Sequence, residues 1–148
     1  MLAQKRSVLD LLTSDLRRVM RMLVASPEFW DPANELFKTP YDFACSALGV
    51  SARAAPPPVM LTLGFLASAG QPVNGWQTPD GYRTDAATWL TPESLTRRAD
   101  LAAALARGLG EPEHLLAFYA EATRERIRRV APGARGALAL AAPDFMRK

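Results

Sequence analysis

The sequence predicts an all-α fold, an irregular multi-helix domain with one long ordered aromatic loop between helices. Three observations predict it. Several stretches repeat apolar residues at helical spacing, and none sustains two-residue alternation. Proline follows a capping residue at one chain restart after another, as in Ser26-Pro27, Thr39-Pro40 and Thr91-Pro92. The exception is residues 70–89, which have neither periodicity. They hold two of the three tryptophans and the turn Thr78-Pro79-Asp80-Gly81.

Composition narrows the function classes. At 148 residues, 49% apolar and 22% charged, the chain fits a single helical domain, 1–148, with a core of its own. Its net charge of +3 is small and acids are interleaved among the bases, unlike a nucleic-acid-binding stripe. One Cys and one His exclude a disulfide framework and any Cys/His zinc site within one chain. No apolar run reaches membrane-spanning length, and residues 1–10 lack a signal-peptide core, so the expected location is cytoplasmic.

Taken in order, residues 4–12 suit a short helix, and Thr13, Ser14 or Asp15 can cap the next one. In that helix Leu16, Val19, Met20, Leu23 and Val24 share a face opposite Arg17, Arg18 and Arg21. Three capped restarts follow, at Ser26-Pro27, Asp31-Pro32 and Thr39-Pro40, the last with Asp42 as a capping-box acid. They imply short helical steps around a corner filled by Phe29, Trp30, Phe37, Tyr41 and Phe43. Phe43, Ala44, Ala47 and Leu48 then face inward until Gly49 offers a stop, with Cys45 expected as a small buried hydrophobe.

After a proline-rich linker, Val59–Ala69 is almost wholly apolar and is expected to be a buried helix ending at Gly70. Asp85 can cap a turn containing Trp89, and Thr91 can cap a long helix. Leu95, Ala99, Ala102 and Ala106 form its stripe, with Leu101 and Leu105 on the flank. Glu111-Pro112-Glu113 starts another helix, in which Leu116, Tyr119, Thr123, Ile127 and Val130 share a face. Pro132-Gly133 precedes a last helix reaching Ala141. One joint occurs twice: Ser26-Pro27-Glu28-Phe29-Trp30 and Ala142-Pro143-Asp144-Phe145-Met146 each restart a turn after an apolar run.

Candidate chemistry is sparse. Asp31 with Glu35, and Asp80 with Asp85, are carboxylate pairs that could serve as acid and base or bind a divalent cation. Capping and turn formation account for them more simply. His114 has no partner of ligand type nearby, and no phosphate loop, dinucleotide fingerprint or nucleophile elbow is present. The expectation is therefore a non-enzymatic chain with no catalytic residues, metal or cofactor. The loop is the best candidate for a ligand or partner site. Trp76, Tyr82 and Trp89 could stack on a sugar or a side chain, with Gln71, Asn74, Gln77 and Asp80 as polar contacts. Alternatively, the rings pin the loop and the polar groups satisfy its backbone.

The order of the motifs Ser26–Trp30, Lys38–Asp42, Gly70-Gln71-Pro72, Thr78–Tyr82, Trp89 and Ala142–Arg147 resembles the C-terminal part of the bacterial family called domain of unknown function 1800. The resemblance runs from about Asp15 to the end. It implies a largely helical fold with no assigned activity, and a chain that lacks the family's N-terminal portion. A truncated member would be a structural or interaction piece; the alternative is a remnant of a hydrolase-like or carbohydrate-binding protein. Expected partners are a second copy or the missing portion, with no nucleic acid and no membrane. Two stripes are expected to be exposed by the truncation: Leu16, Val19, Met20 and Leu23, and Leu116, Tyr119, Ile127 and Val130.

Overall fold

The computed structural model describes residues 16–31, 36–51, 58–75, 79–107 and 109–148. The fold is all-α. Among the described residues there are eight α-helices and two 3-10 turns, and extended pairing is limited to one antiparallel bridge. The chain separates into two compact units, Met1–Glu35 and Leu36–Lys148.

In the first unit, α1 (Leu16–Ala25) leads into a 3-10 turn at Pro27–Trp30. Ser26 caps that turn, its hydroxyl accepting from the Phe29 N–H at 3.3 Å. The Trp30 indole N–H donates to the Val24 carbonyl at 2.6 Å, and the Phe29 and Trp30 rings meet edge to face. No residue of α1 is buried; of the stripe expected to be exposed, Leu16, Met20 and Leu23 are, and Val19 is half-buried. The predicted helix at 4–12 and the Asp31-Pro32 restart through Glu35 lie outside the described residues.

The second unit opens on α2 (Pro40–Ser51). Its capping box forms as predicted: the Asp42 N–H donates to the Thr39 hydroxyl, and the Thr39 N–H donates to the Asp42 carboxylate, both at 3.2 Å. Gly49 does not stop this helix; its φ is not positive, and α2 continues to Ser51. Pro40, Phe43, Ala44, Ala47 and Ser51 form the buried face. Cys45 falls on the other side, so the expectation of a buried thiol is corrected to an exposed one. The aromatic corner is corrected as well: Phe43 is fully buried, whereas Phe29, Trp30 and Tyr41 are exposed.

The unit continues through α3 (Val59–Ser68), α4 (Ala86–Trp89), α5 (Pro92–Ala106), α6 (Glu113–Leu116), α7 (Glu121–Arg128) and α8 (Pro132–Ala141), then a 3-10 turn at Pro143–Met146. Thr91 caps α5 through the Ser94 N–H at 3.1 Å, as its cap-proline sequence predicts. The most extensive helix pairing is α5 on α8. Gly136 lies in this contact, where a Cβ would stand 3.4 Å from both the Ala106 Cβ and a Leu109 methyl, a close but ordinary approach. Phe43 joins the two sides of the core, its ring 6.0 Å from that of Phe65 and 5.8 Å, edge to face, from that of Phe145.

Four further sequence expectations are overturned in this unit. The buried stripe of α5 is Arg98, Leu101, Ala102 and Leu105, while Leu95 and Ala99 are exposed. The helix expected over 111–130 is two helices, because Ala120 is extended (φ −58°, ψ 147°) and its N–H donates to the Asp144 carboxylate at 2.7 Å instead of to a helical carbonyl. The stripe through Leu116, Tyr119 and Ile127 is buried, not exposed, and Val130 is half-buried; the Tyr119 hydroxyl donates to the Ala139 carbonyl at 2.8 Å. Finally, α3 is apolar but not enclosed. Only Thr62, Phe65 and Leu66 are buried, and Val59, Met60, Leu61 and Leu63 are exposed.

Candidate functional site

The loop after α3 is held by its own polar groups. Gly70 ends the helix at φ +80°, and the Gln71 N–H returns to the Leu66 carbonyl at 2.9 Å. The buried Gln71 side chain then accepts from the Tyr41 N–H at 2.7 Å, satisfying a first-turn donor of α2. Gly75 follows a turn in which Asn74 is left-handed (φ 58°). A Cβ at Gly75 would stand 2.4 Å from the Pro72 ring, so only glycine fits without a shift. The Tyr82 hydroxyl donates to the Pro72 carbonyl at 2.9 Å, and the buried Trp89 indole donates to the Arg83 carbonyl at 2.7 Å.

Asp85 caps α4 as the sequence predicts, accepting from the Thr88 hydroxyl at 2.7 Å and the Thr88 N–H at 3.1 Å. It also pairs with Arg83 at 2.7 Å. The Thr88 hydroxyl first, and Arg83 next, hold its carboxyl down at about 2. Of the loop residues singled out from the sequence, Gln71, Tyr82 and Trp89 therefore each fasten a different backbone group. Asn74 and Asp80 are at the solvent-facing turns, and Trp76 and Gln77 lie outside the described residues.

A hollow of about 390 Å³ lies between α3 and α5. Met60, Leu61 and Phe65 give it an apolar wall with Leu101 opposite, and Arg97 and Asp100 supply its charges. A smaller hollow of about 100 Å³, bordered by Thr88, Trp89 and Ser94, shares Ser68 and Arg97 with it. The groove thus runs along α3 toward the end of the aromatic loop. The sequence did not disclose it, because an uncharged helix reads as an enclosed one. The detectable signal was that Val59–Ser68 carries no charged residue on any side.

A second feature missed by the sequence is Arg98, which is 0% exposed. Its guanidinium donates to the Lys38 carbonyl at 2.8 Å and to the Met146 sulfur at 3.7 Å, and lies 4.8 and 5.1 Å from the Phe37 and Phe43 ring centres. Its Nε donates to no described group. Burial lowers its pKa to about 10, partly opposed by Asp42, so it remains charged at neutral pH. Nearby, burial would raise the Asp42 carboxyl, but hydrogen bonds from Lys148 and Thr39 outweigh this and hold it below its usual value. The half-buried Lys38 ammonium is lowered by burial and by its neighbours Lys148 and Arg98, against the pull of Asp42. The Phe37–Arg147 bridge closes the same region: Leu36 and Lys148 exchange two backbone hydrogen bonds of 2.9 Å, and the Lys38 N–H donates to the Met146 carbonyl at 2.7 Å. Arg98 therefore fastens the first residues of the unit to its last.

Among the described residues, no group of three or more His, Cys, Asp or Glu is arranged to hold a metal ion. His114 is exposed, and no described helix is long and apolar enough to cross a membrane. Fold and groove together define an uncharacterised all-α domain with an apolar surface cleft. The chain belongs to the family described as protein of unknown function (DUF1800), which matches residues 5–147. No curated protein and no solved structure matches it.

Proposed function

We propose that the unit Leu36–Lys148 is a non-catalytic helical docking domain whose α3–α5 groove is covered by another protein surface. The observation that carries this reading is α3 itself. It has no charged residue, and Met60 is 80% exposed beside Val59, Leu61 and Leu63. A continuous apolar face in water is unfavourable, and on soluble proteins large patches of this kind mark interaction sites. Two covers suit it: a second copy of this chain, or another segment of a family protein. The carbohydrate-binding alternative has less support, since Trp89 is buried, the polar tips of Tyr82 and Trp89 are used within the loop, and that of Gln71 is used on α2.

Binding of 8-anilinonaphthalene sulfonate tests the exposed face. The folded chain should enhance the dye's fluorescence, and Met60→Lys should lower that enhancement several-fold with the far-ultraviolet circular dichroism unchanged. A signal indifferent to Met60→Lys and Leu61→Glu would remove the basis for the docking reading.

A further inference from the structure

We infer that the occupant of the α3–α5 groove is a second copy of this chain, joined across a two-fold axis; this deepens the docking reading and rests on it. A two-fold contact requires a self-complementary patch, in which each residue meets its counterpart's partner. The groove meets that requirement chemically. Its centre is uncharged α3, so an identical helix can approach it without bringing like charges together. The prominent Met60 stands beside the hollow it helps to line, so each copy offers both a flexible apolar projection and a recess to receive one. Gly64 adds clearance, since a Cβ there would meet nothing within 4 Å.

The charges at the groove fit the same arrangement. In the larger hollow they are one cation and one anion, Arg97 and Asp100, three residues apart on α5; Glu93, which borders the smaller hollow, is already paired with Arg97. A two-fold axis passing between them would set Arg97 of each copy against Asp100 of the other. Arg97 also holds Glu93 one turn earlier, while Asp100 has no ion-pair partner among the described residues. The cross-pairs therefore supply Asp100 with a partner without requiring a third component. A partner with a uniformly charged rim would leave one of the two groove charges opposed. With a small apolar centre and two rim pairs, the contact belongs to the weaker class of interfaces, associating at micromolar concentration.

Sedimentation velocity across the micromolar range tests this. The wild-type chain should shift from monomer to dimer with concentration, and Met60→Lys should leave it monomeric and folded. Arg97→Glu and Asp100→Arg should each weaken self-association several-fold, since each sets like charges opposite one another. Mixed together, the two variants should associate, because every cross-pair is then of opposite sign. A dimer untouched by Met60→Lys, or no recovery on mixing, overturns the two-fold arrangement. A wild-type monomer that still binds the dye at Met60 overturns the second copy but leaves the docking face standing. A monomer that binds no dye overturns both.

Discussion

Ser26–Trp30 and Ala142–Met146 have nearly the same order of residue types, and each folds into a 3-10 turn with proline at its start. Their surroundings differ. Phe29 and Trp30 are 53% and 68% exposed, whereas Phe145 and Met146 are 6% and 5% exposed. The first turn is closed by its own residues, Ser26 capping Phe29 and Trp30 reaching back to Val24. The second has alanine in place of the capping serine, and its acid reaches outward, from Asp144 to the Ala120 N–H and, at 2.7 Å, the Thr123 hydroxyl. Local sequence specifies the turn in both cases. Burial depends on what the rest of the chain brings to it.

The difference can be measured, and the aromatic pair should show it most strongly. Phe145→Ala removes a ring packed edge to face on Phe43 and should cost about 3–5 kcal/mol in denaturant unfolding. Phe29→Ala at the exposed joint should stay within about 0.5 kcal/mol. Equal costs would show that the two joints are alike in solution. The acids come next. Asp144→Ala leaves the start of α7 without its acceptor and should cost about 1–2 kcal/mol, against a change within about 0.5 kcal/mol for Glu28→Ala.

Asp144 also predicts a pH signature. Burial alone would raise its carboxyl, but hydrogen bonds from Ala120 and Thr123 outweigh this and lower it below the usual value of 3.8. Its contribution is thus complete above that ordinary value and is lost as pH falls through the lowered one. The wild-type chain should lose more stability on acidification than Asp144→Ala, and parallel pH profiles would contradict the assignment. The smallest effect is expected at Ser26. Its replacement by alanine should cost about 0.5–1 kcal/mol of local order at the first joint, visible as faster amide exchange at Phe29. Unchanged exchange there would show that the cap does not hold the turn.

The same contrast explains what could be read from the sequence. Caps at Ser26, Asp42, Asp85 and Thr91 were legible because donor and acceptor lie within three residues of each other. Gln71 was legible as a loop residue but not as the acceptor for Tyr41, thirty positions earlier. The α5 stripe read from apolar spacing passes over Arg98, which is part of the buried face. A buried arginine satisfied by a carbonyl, a thioether and two rings leaves no charge pattern in its own helix. The break between α6 and α7 was hidden for a similar reason, since its determinant, Asp144, arrives from beyond α8. The groove was illegible because apolarity states a preference for cover without naming the cover.

The clasp at Arg98 has a consequence for the order of synthesis. Residues 36–38 emerge from the ribosome early, yet their backbone partners are 146–148. Until those last residues leave the exit tunnel, the Lys38 end has no bridge and Arg98 lacks its contact with Met146. The helices in between can form and begin to pack, but this unit cannot close as each successive helix appears. Its completion waits for residues 146–148, and closing a loop nearly the length of the unit is the slow, non-local kind of step. A chain cut just short of Met146 should therefore remain protease-sensitive around residues 36–38, and one that extends through Lys148 should be resistant there.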